Sequence, residues 1–406
     1  MSMLNSHKPQ VHLGLGALGE LGAELRTREA KRILFVVDET AYQASGAAAV
    51  MEPILASYSV QRFTGFAMNP KLEDVERGIE QFRRFQPDLV ISLGGGTAID
   101  LGKLIAMLAQ QSDSPRELIR GTAQLVAAGT PHVTIPTTAG TGSEATHFAV
   151  VYIAGEKFSL AHPAVLPVCA IVDPALTYSL PRSITVATGL DALCQAVESL
   201  WAVGATDESM RDARVALSEA LAHLVSAVTQ RTPVARLGMC RAAHFAGRAI
   251  NVSKTTAPHA LSYRLTSKHG IPHGIAVALT LSPLLAYNSR VTAADCQDPR
   301  GAEHVRGRIA LIVELLGAAD VLTACAKIES LLDELGVPVS LAAAGITDEA
   351  EVRKLVASVN AERMSNNPRR LNPTALLALL QASPVPAAVS QPPFLNSVSN
   401  KILNHV

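Results

Sequence analysis

Hydrophobic and polar positions divide the first half of the chain into short apolar runs and longer amphipathic segments. Residues 33–38, ILFVVD, form a continuous β-branched run that predicts a buried parallel strand. Residues 72–85 place Val75, Ile79 and Phe82 at helical intervals, which predicts an amphipathic helix. Strands that alternate with helices predict a parallel sheet with helices on both faces. The same pattern predicts a helix at 47–55, strands at 58–63 and 148–153, and further strands within 88–108, 133–146 and 170–181.

Beyond about residue 182 this alternation gives way to long segments rich in alanine and leucine. Their apolar periodicity predicts helices and no further sheet. We therefore predict an α/β domain over residues 1–182, an all-α domain over 183–382 and a proline-containing tail over 383–406. The helices are predicted at 188–203, 207–226, 234–250, 257–265, 273–284, 305–316, 323–335 and 349–359.

Composition narrows the class of protein. The 406 residues are enough for two domains with substantial cores. The 35 basic and 35 acidic residues balance, which gives no support for a nucleic-acid partner. The five cysteines form no CxxC pair, a pattern that suits a reducing compartment. The first residues lack an apolar signal core and no apolar run reaches membrane-spanning length, so we predict a cytoplasmic protein without a membrane partner.

A glycine turn joins one predicted strand to the helix that follows it. The tripeptide Gly94-Gly95-Gly96 would let the backbone approach a pyrophosphate, whose charge the helix N-terminus stabilises. Thr97 and Asp100 fall in the first turn of this helix, where both side chains suit capping. Lys103 is expected to be a solvated helix residue. The motif is not GxGxxG, and the alternative is a plain tight turn.

A second loop, within residues 133–146, is dense in small polar residues. Its hydroxyl and amide groups suit the binding of a ribose, a nicotinamide or a phosphate. The alternative is an ordinary polar loop, but so many small polar residues within so short a segment make that alternative less favoured. The residues are Thr137, Thr138, Gly140, Thr141, Gly142 and Ser143.

Two histidines and a polar pair on an apolar helix suggest a metal site. His259 and His273 are separated by a Gly-Ile-Pro turn at 270–272, which allows the chain to fold back and bring them together. Asp191 and Gln195 are four residues apart and share one face of a largely apolar segment. Two oxygens and two imidazoles suit a divalent first-row metal. The alternatives are histidines at helix ends and a polar pair that faces solvent.

Four motifs in one order resemble the iron-containing, or group III metal-dependent, alcohol dehydrogenases. They are GGGTAID, PTTAGTGSEAT, ATGLDALCQAVES and APHALSY followed by GIPHG, and the resemblance extends from about residue 11 to about residue 382. The resemblance implies an α/β dinucleotide-binding domain followed by a helical metal-binding domain like that of dehydroquinate synthase. It also implies a nicotinamide cofactor and one divalent metal, Fe(II) first and Zn(II) as the alternative.

The family's metal positions fall on Asp191, Gln195, His259 and His273. The second position is normally histidine in the family, so Gln195 is a departure, and an amide oxygen is a weaker donor than imidazole. The family often has a further histidine where this chain has Tyr263. Tyr263 is therefore a candidate to donate a proton or hold a water, with a packing role as the alternative.

The family's cofactor positions fall on both glycine-rich motifs. Asp38 matches a strand-end acid that accepts from a ribose 2′-hydroxyl and repels a 2′-phosphate. The resemblance therefore implies NADH, with NADPH as the alternative. The implied cofactor residues are Asp38, Gly94, Gly95, Gly96, Thr97, Asp100, Thr137, Thr138 and Thr141.

Within the family, SEATHFAVVYIAGEKFSLAHP and NVSKTTAPHALSY look most like the phosphonoacetaldehyde reductases of phosphonate biosynthesis. The implied reaction is NADH-linked reduction of phosphonoacetaldehyde to 2-hydroxyethylphosphonate. A phosphonate dianion needs cations and hydroxyls, for which Lys254, Thr255, His147 and Arg264 are candidates, and Lys254 is also a catalytic candidate. The alternative is that Lys254 and Arg264 are solvated surface charges.

Other functions stay open at this point. One is a dehydrogenase of the same family for another short alcohol or aldehyde, without a preference for an anionic group. Another is a non-redox lyase related to dehydroquinate synthase, against which PTTAGTGSEAT argues. A third is a catalytically inactive binding protein, which Gln195 and Tyr263 keep open. The resemblance further implies a homodimer.

Overall fold

A parallel sheet forms the centre of the first half of the chain. The computed structural model describes residues 9–126, 128–359 and 364–381, so the expected tail at 383–406 lies outside the described residues. The strands are β1 (Gln10–Leu13), β2 (Arg32–Val37), β3 (Ser59–Phe63), β4 (Leu89–Gly94), β5 (His132–Pro136), β6 (Phe148–Ile153), β7 (Glu156–Ala161) and β8 (Cys169–Val172). Six of them form one sheet in the order β1-β8-β5-β4-β2-β3, and every pairing in it is parallel.

Helices cover both faces of this sheet, as the sequence predicts for continuous apolar strands. On one face α1 (Leu21–Thr27), α2 (Glu39–Ala44) and α3 (Ala47–Leu55) share a core with the odd-numbered side chains of β2. On the other face α4 (Leu72–Phe85), α5 (Gly96–Leu108) and α6 (Pro115–Arg120) pack on its even-numbered side chains. The predicted helices at 47–55 and 72–85 have the bounds that the structure shows.

The predicted strand at 148–153 forms, but it does not join the parallel sheet. It pairs with β7, which the sequence did not predict, in a separate two-stranded antiparallel sheet. Ala154 and Gly155 connect the two strands with φ angles of 51° and 82°. Two consecutive positive φ angles are typical of the type I′ turn that fits the twist of a hairpin. An antiparallel hairpin needs only this short turn, whereas joining the main sheet in parallel needs a long crossover.

The second half of the described chain is helical. Its helices are α7 (Arg182–Trp201), α8 (Asp207–Thr229), α9 (Pro233–Ser253), α10 (Ala257–His269), α11 (His273–Ala278), α12 (Leu281–Asn288), α13 (Ala302–Leu315), α14 (Val321–Glu334), α15 (Glu349–Ala357) and α16 (Pro373–Gln381). The fold class predicted from sequence, a parallel α/β domain followed by a helical domain, is therefore confirmed. None of the described helices is long and apolar enough to cross a bilayer.

Two predicted helices differ from the observed ones. Helix α7 begins at Arg182 and not near Thr188, because the hydroxyls of Thr185 and Thr188 bond to carbonyls of the preceding turn and are accommodated inside the helix. The single helix predicted at 273–284 is two helices, α11 and α12. The break lies at Thr280, whose φ and ψ of −111° and 0° depart from helical values.

Helix α7 is the axis of the helical half. It is buried almost all round, which is the pattern of a core helix, and it packs against α8, α9 and α11. Its contact with α11 is very close at Gly274, where an added Cβ would lie 1.8 Å from the carbonyl oxygen of Ala187 and 2.7 Å from the amide nitrogen of Asp191. Only glycine fits there, so Gly274 lets the chain after His273 lie directly against the helix that carries Asp191.

The two halves meet at an equally close contact. Gly142 has a φ of 60°, and a Cβ on it would lie 2.5 Å from the Cα of Gly247 on α9. Next to this contact, His244 Nδ1 and Glu144 Oε1 are 3.1 Å apart and both side chains are buried. The glycine contact and the polar pair fix the second polar loop of the α/β half against the helical half.

A buried histidine in β5 leads to a prediction about pH. His132 is buried, with Nε2 2.8 Å from Ser92 Oγ, and burial together with the charge of Lys103 lowers its pKa to about 3. In the unfolded chain its pKa is about 6.5. Between these values the unfolded state binds the extra proton, so the stabilisation from neutral His132 is complete above pH 6.5 and is lost as the pH falls.

We expect the wild-type unfolding free energy to fall by about 1.6 kcal/mol more than that of His132→Gln between pH 6.5 and pH 5, with a slope that approaches about 1.4 kcal/mol per pH unit at the lower pH. Urea unfolding at several pH values measures this difference. His162→Gln, which replaces a histidine outside the core, is the control. Parallel pH profiles for wild type and His132→Gln would contradict the assignment.

Candidate active site

The predicted glycine turn forms a cradle at the carboxyl ends of β4 and β5. Gly94 has a φ of 149°, and a Cβ there would lie 2.7 Å from the Cβ of Ala98. A Cβ on Gly96 would lie 2.9 Å from Cγ2 of Thr141. Gly95 is the N-cap of α5 and supplies no side chain to its free amides. The backbone is therefore open to a ligand where the helix N-terminus favours an anion.

The other predicted cofactor residues surround this cradle. Asp38 caps α2, with Oδ1 accepting from the amide of Ala41 at 3.0 Å, and it lies beside Gly94. Thr138 approaches Gly95, and the hydroxyl of Thr137 is buried without a hydrogen-bond partner among the described residues. Thr97 accepts from the amide of Asn69, while Thr141 lies against Gly96. These side chains are in place to contact one dinucleotide.

Asp100 and Lys103 are placed differently from the expectation. Asp100 does not cap α5: it is buried, and it accepts from Ser143 Oγ at 2.5 Å and from the amide of Val150 at 2.9 Å. Lys103 is not solvated but 1 % exposed, and its ammonium donates to Ser143, Thr146 and the carbonyl of Phe148.

Burial raises the pKa of Asp100 and lowers that of Lys103 to about 8. The two side chains bond α5 to the loop at 133–146 and so hold the two segments that form the cradle together. They lie side by side one turn apart on α5, which the spacing allows, but the sequence alone does not say that this face is buried.

The predicted metal residues come together in the helical half. Ligand atoms of Asp191, His259 and His273 all lie within 4.8 Å of one another. His259 Nε2 is 3.3 Å from Asp191 Oδ1, and the two imidazole centroids are 5.3 Å apart. Gln195 is buried beside them, its Oε1 has no hydrogen-bond partner among the described residues, and its Nε2 donates to the carbonyl of Thr141 at 3.4 Å.

These residues fit a divalent cation. A carboxylate and two imidazoles are typical ligands, and an amide oxygen buried without a donor is an unused acceptor. The bond from Gln195 to Thr141 also places the cluster next to the cradle. The four residues can therefore hold a metal beside a bound dinucleotide.

Glu198 also belongs to the cluster, although the sequence analysis did not predict it as a site residue. It is fully buried, and its Oε2 accepts from Nδ1 of His259. Its Oε1 accepts from the amide of Thr256 at 2.9 Å and from its hydroxyl at 2.8 Å. A carboxylate on one imidazole nitrogen directs the other nitrogen to a metal. The signal was available, because Glu198 lies seven residues after Asp191 on the same helix face.

The electrostatics follow from burial and these two carboxylates. Burial disfavours the charged form of His259, yet Glu198 and Asp191 raise its pKa to about 10. Burial lowers the pKa of His273 to about 3. Burial opposes ionisation of Asp191, but the hydrogen bond from His259 and the nearby imidazoles hold its pKa below the usual value. The largely buried cluster thus contains an ionised Asp191 carboxylate whose charge a cation can neutralise.

Two models of protein families match the chain. The model for "Iron-containing alcohol dehydrogenase" matches residues 8–174. The model for "Fe-containing alcohol dehydrogenase family, C-terminal" matches residues 185–384. The chain belongs to the iron-containing alcohol dehydrogenase family. It is therefore an enzyme of an oxidoreductase family, and the lyase and inactive-protein alternatives lose their support.

Individual members of the iron-containing alcohol dehydrogenase family resemble the chain to different degrees. A phosphonoacetaldehyde reductase of Streptomyces viridochromogenes is 39 % identical over 315 residues, which cover 74 % of this chain and 77 % of that protein. Long-chain-alcohol dehydrogenase 1 of Geobacillus thermodenitrificans is 33 % identical, with coverage of 84 % and 86 %. The crystal structure of sulfoacetaldehyde reductase from Bifidobacterium kashiwanohense in complex with NAD+ superposes with a TM-score of 0.82 at 29 % identity, covering 94 % and 98 %.

Tyr263 of this iron-containing alcohol dehydrogenase lies against the cluster of candidate metal ligands. The rings of Tyr263 and His273 stack at an interplanar angle of 15° with centroids 6.5 Å apart. The ammonium of Lys157, from β7, lies 3.9 Å from the centroid of the Tyr263 ring. The hairpin of the α/β half thus covers the tyrosine, and Lys157 is a site residue that the sequence did not indicate.

The predicted substrate residues of the enzyme do not all converge. Lys254 ends α9 with a φ of 59°, a backbone conformation that is strained for lysine. His147 is held against the end of the same helix, because its backbone amide donates to Oδ1 of Asn251 at 2.7 Å. Thr255 is buried next to Lys254. Arg264 is a correction: its guanidinium pairs with Glu351 of α15 at 2.6 Å, so helix packing and not a substrate accounts for it.

Proposed function

We propose that this member of the family is a metal-dependent, NADH-linked aldehyde reductase that converts phosphonoacetaldehyde to 2-hydroxyethylphosphonate. The observation that carries the proposal is the buried cluster of Asp191, Gln195, His259 and His273 beside the dinucleotide cradle. Fe(II) is the proposed metal, with Zn(II) as the alternative. A cytoplasmic homodimer and a division into domains at about residue 182 are proposed with it.

NADH is the proposed reductant, with NADPH as the alternative. Asp38 lies at the end of β2 beside Gly94, where its second carboxylate oxygen is available to a ribose hydroxyl. The structural relative from Bifidobacterium kashiwanohense is in complex with NAD+, which supports this choice.

The reaction needs a polarised carbonyl, a hydride and a proton. When bound, the cation supplies the Lewis acid and the reduced dinucleotide supplies the hydride. Asp191 would neutralise part of the charge of a bound cation, and Glu198 holds the His259 ring so that Nε2 faces Asp191. Tyr263, stacked on His273, is the proposed donor of the proton that converts the alkoxide to the alcohol.

An anionic substrate is supported by two lysines. Lys157 lies against Tyr263, and Lys254 follows α9 three residues after Asn251, which accepts from the amide of His147. Two relatives in the comparison are named for aldehydes that carry an anionic group, phosphonoacetaldehyde and sulfoacetaldehyde. We assign Lys254 and His147, with the hydroxyl of Thr255, to the phosphonate.

The test of this assignment is Lys254→Ala. A charge-assisted hydrogen bond contributes about 1.5–3 kcal/mol, so KM for phosphonoacetaldehyde should rise by about 10- to 100-fold while KM for propanal stays nearly unchanged. NADH consumption with both aldehydes measures the two constants. Lys268→Ala, which removes an exposed lysine near the end of α10, is the control. Equal changes in KM for both aldehydes would contradict the phosphonate assignment. The protein would then be a reductase for another short aldehyde.

A further inference from the structure

A second group of metal-ligand side chains lies outside the active site. His12 is on β1, Glu24 is on α1 and Cys169 is the first residue of β8. One ligand atom from each lies within 4.8 Å of the other two. These three residues are called the edge triad below. They come from three separate elements, so tertiary packing and not local sequence brings them together.

The edge triad lies away from the active site. Cys169 pairs with Val133 near the start of β5, whereas the cofactor cradle begins at Thr137, just after the end of that strand. Four residues of strand separate these levels by about 13 Å. The edge triad is therefore at the amino end of the sheet, opposite the carboxyl ends that form the cradle.

The hydrogen bonds of the edge triad occupy the positions that a cation would take. His12 Nε2 is 2.8 Å from Glu24 Oε1. Arg28 donates to the other oxygen, Oε2, at 3.0 Å, which orients the carboxylate and leaves Oε1 directed at the imidazole. Metal-ligating carboxylates are typically held in this way by a second partner. An imidazole and a carboxylate also meet in the active site, where His259 Nε2 lies 3.3 Å from Asp191 Oδ1.

The chemistry of the edge triad selects a particular class of ion. Thiolate, imidazole and carboxylate are the three ligand types that zinc uses in proteins. One thiolate and one carboxylate balance the charge of a divalent cation, and Arg28 pairs with the carboxylate oxygen Oε2 that does not face His12. Magnesium and calcium prefer all-oxygen sites and are disfavoured here.

The burial of the edge triad, and its opening to solvent on one side, also suit an ion that links β1 and α1 to β8. Cys169 is fully buried, while the side chains of His12 and Glu24 are 19 % and 11 % exposed, so an ion can enter from one side.

We propose that His12, Glu24 and Cys169 form a second divalent-metal site, selective for zinc-like ions, that fastens the edge strand β1 and helix α1 to β8. The site is distinct from the Asp191 cluster and takes no part in the reaction. Three protein ligands leave the fourth zinc position to water.

Cobalt(II) tests the proposal, because a thiolate ligand gives a ligand-to-metal charge-transfer band in the near ultraviolet and the proposed active-site ligands include no thiolate. The metal-free full-length protein is titrated with Co(II) alone. We expect the band in the wild type and in Asp191→Ala, and we expect its loss in Cys169→Ser. Cys194→Ser, which removes the buried cysteine beside the active-site cluster, should keep the band.

A second variant covers the case in which Cys169→Ser does not fold. His12→Gln changes a partly exposed residue and should weaken cobalt binding at the edge triad by on the order of 100-fold, since loss of a ligand costs at least as much as loss of its outer partner. After the metal-free protein is loaded with Zn(II) and dialysed, the wild type should retain one zinc ion per chain more than either edge variant. Absence of the band in the wild type, or a band that survives Cys169→Ser in folded protein, would overturn the proposal.

Discussion

Asp191→Asn is expected to remove metal binding at the active-site cluster and to lower aldehyde turnover on the order of 1000-fold. Asp191 provides the only carboxylate among the four proposed ligands, and its oxygen lies 3.3 Å from His259 Nε2. Asparagine keeps the shape but removes the charge that balances the cation. Lewis-acid stabilisation is worth several kcal/mol, and each 1.4 kcal/mol corresponds to about tenfold in rate.

The measurement pairs metal content after dialysis with the steady-state rate of NADH consumption. Asp212→Asn is the matched control, because Asp212 pairs with Arg248 on the next helix and lies outside the cluster. It should keep both metal and rate. An Asp191→Asn protein that binds the metal as tightly as the wild type would show that the ligand set is wrong.

Glu198→Gln has the second largest expected effect. Glu198 holds Nδ1 of His259 and accepts both hydrogen bonds of Thr256, and all of these groups are buried. A neutral amide there no longer stabilises a positively charged centre through the imidazole. Loss of such an outer partner typically weakens metal binding 10- to 100-fold, and we expect a change of about that size.

Chelator competition gives the metal affinity, and thermal unfolding of the metal-free protein reports any general loss of stability. Ser199→Ala is the control, since Ser199 is equally buried one residue along and contacts Ser253 instead of a proposed ligand. If Glu198 only packs the core, Glu198→Gln will lower the melting temperature and leave the metal affinity as it was. Recovery of affinity in Glu198→Asp would support the positioning role.

Much of the active site follows from the sequence because its spacing is local. Asp191 and Gln195 are one helical turn apart, so their common face is set by helix geometry. The Gly-Ile-Pro turn at 270–272 reverses the chain, so the approach of His273 to His259 can be expected from the sequence. The continuous apolar runs of β2 and β4 likewise predict buried parallel strands, which the structure confirms.

What the sequence could not provide depends on long-range packing. Lys103 looks like a surface lysine until the loop at 133–146 folds over it and supplies two hydroxyl acceptors, with the carbonyl of Phe148 on β6 as the third. Arg264 looks like an anion ligand until α15 brings Glu351 beside it from 87 residues away. The edge triad also joins residues from opposite ends of the α/β half. In each case the side chain's role is decided by a partner that local spacing does not reveal.

The most direct test of the proposed function is the metal dependence of NADH consumption by the enzyme with phosphonoacetaldehyde as the substrate. Acetaldehyde and propanal serve as neutral comparison substrates. The metal-free protein is assayed alone and after addition of Fe(II) or Zn(II). We expect no activity without metal, and restored turnover of phosphonoacetaldehyde well above that of the neutral aldehydes once metal is added. Turnover that is unchanged by metal removal, or none with any of the three aldehydes under either metal, would contradict the proposed function.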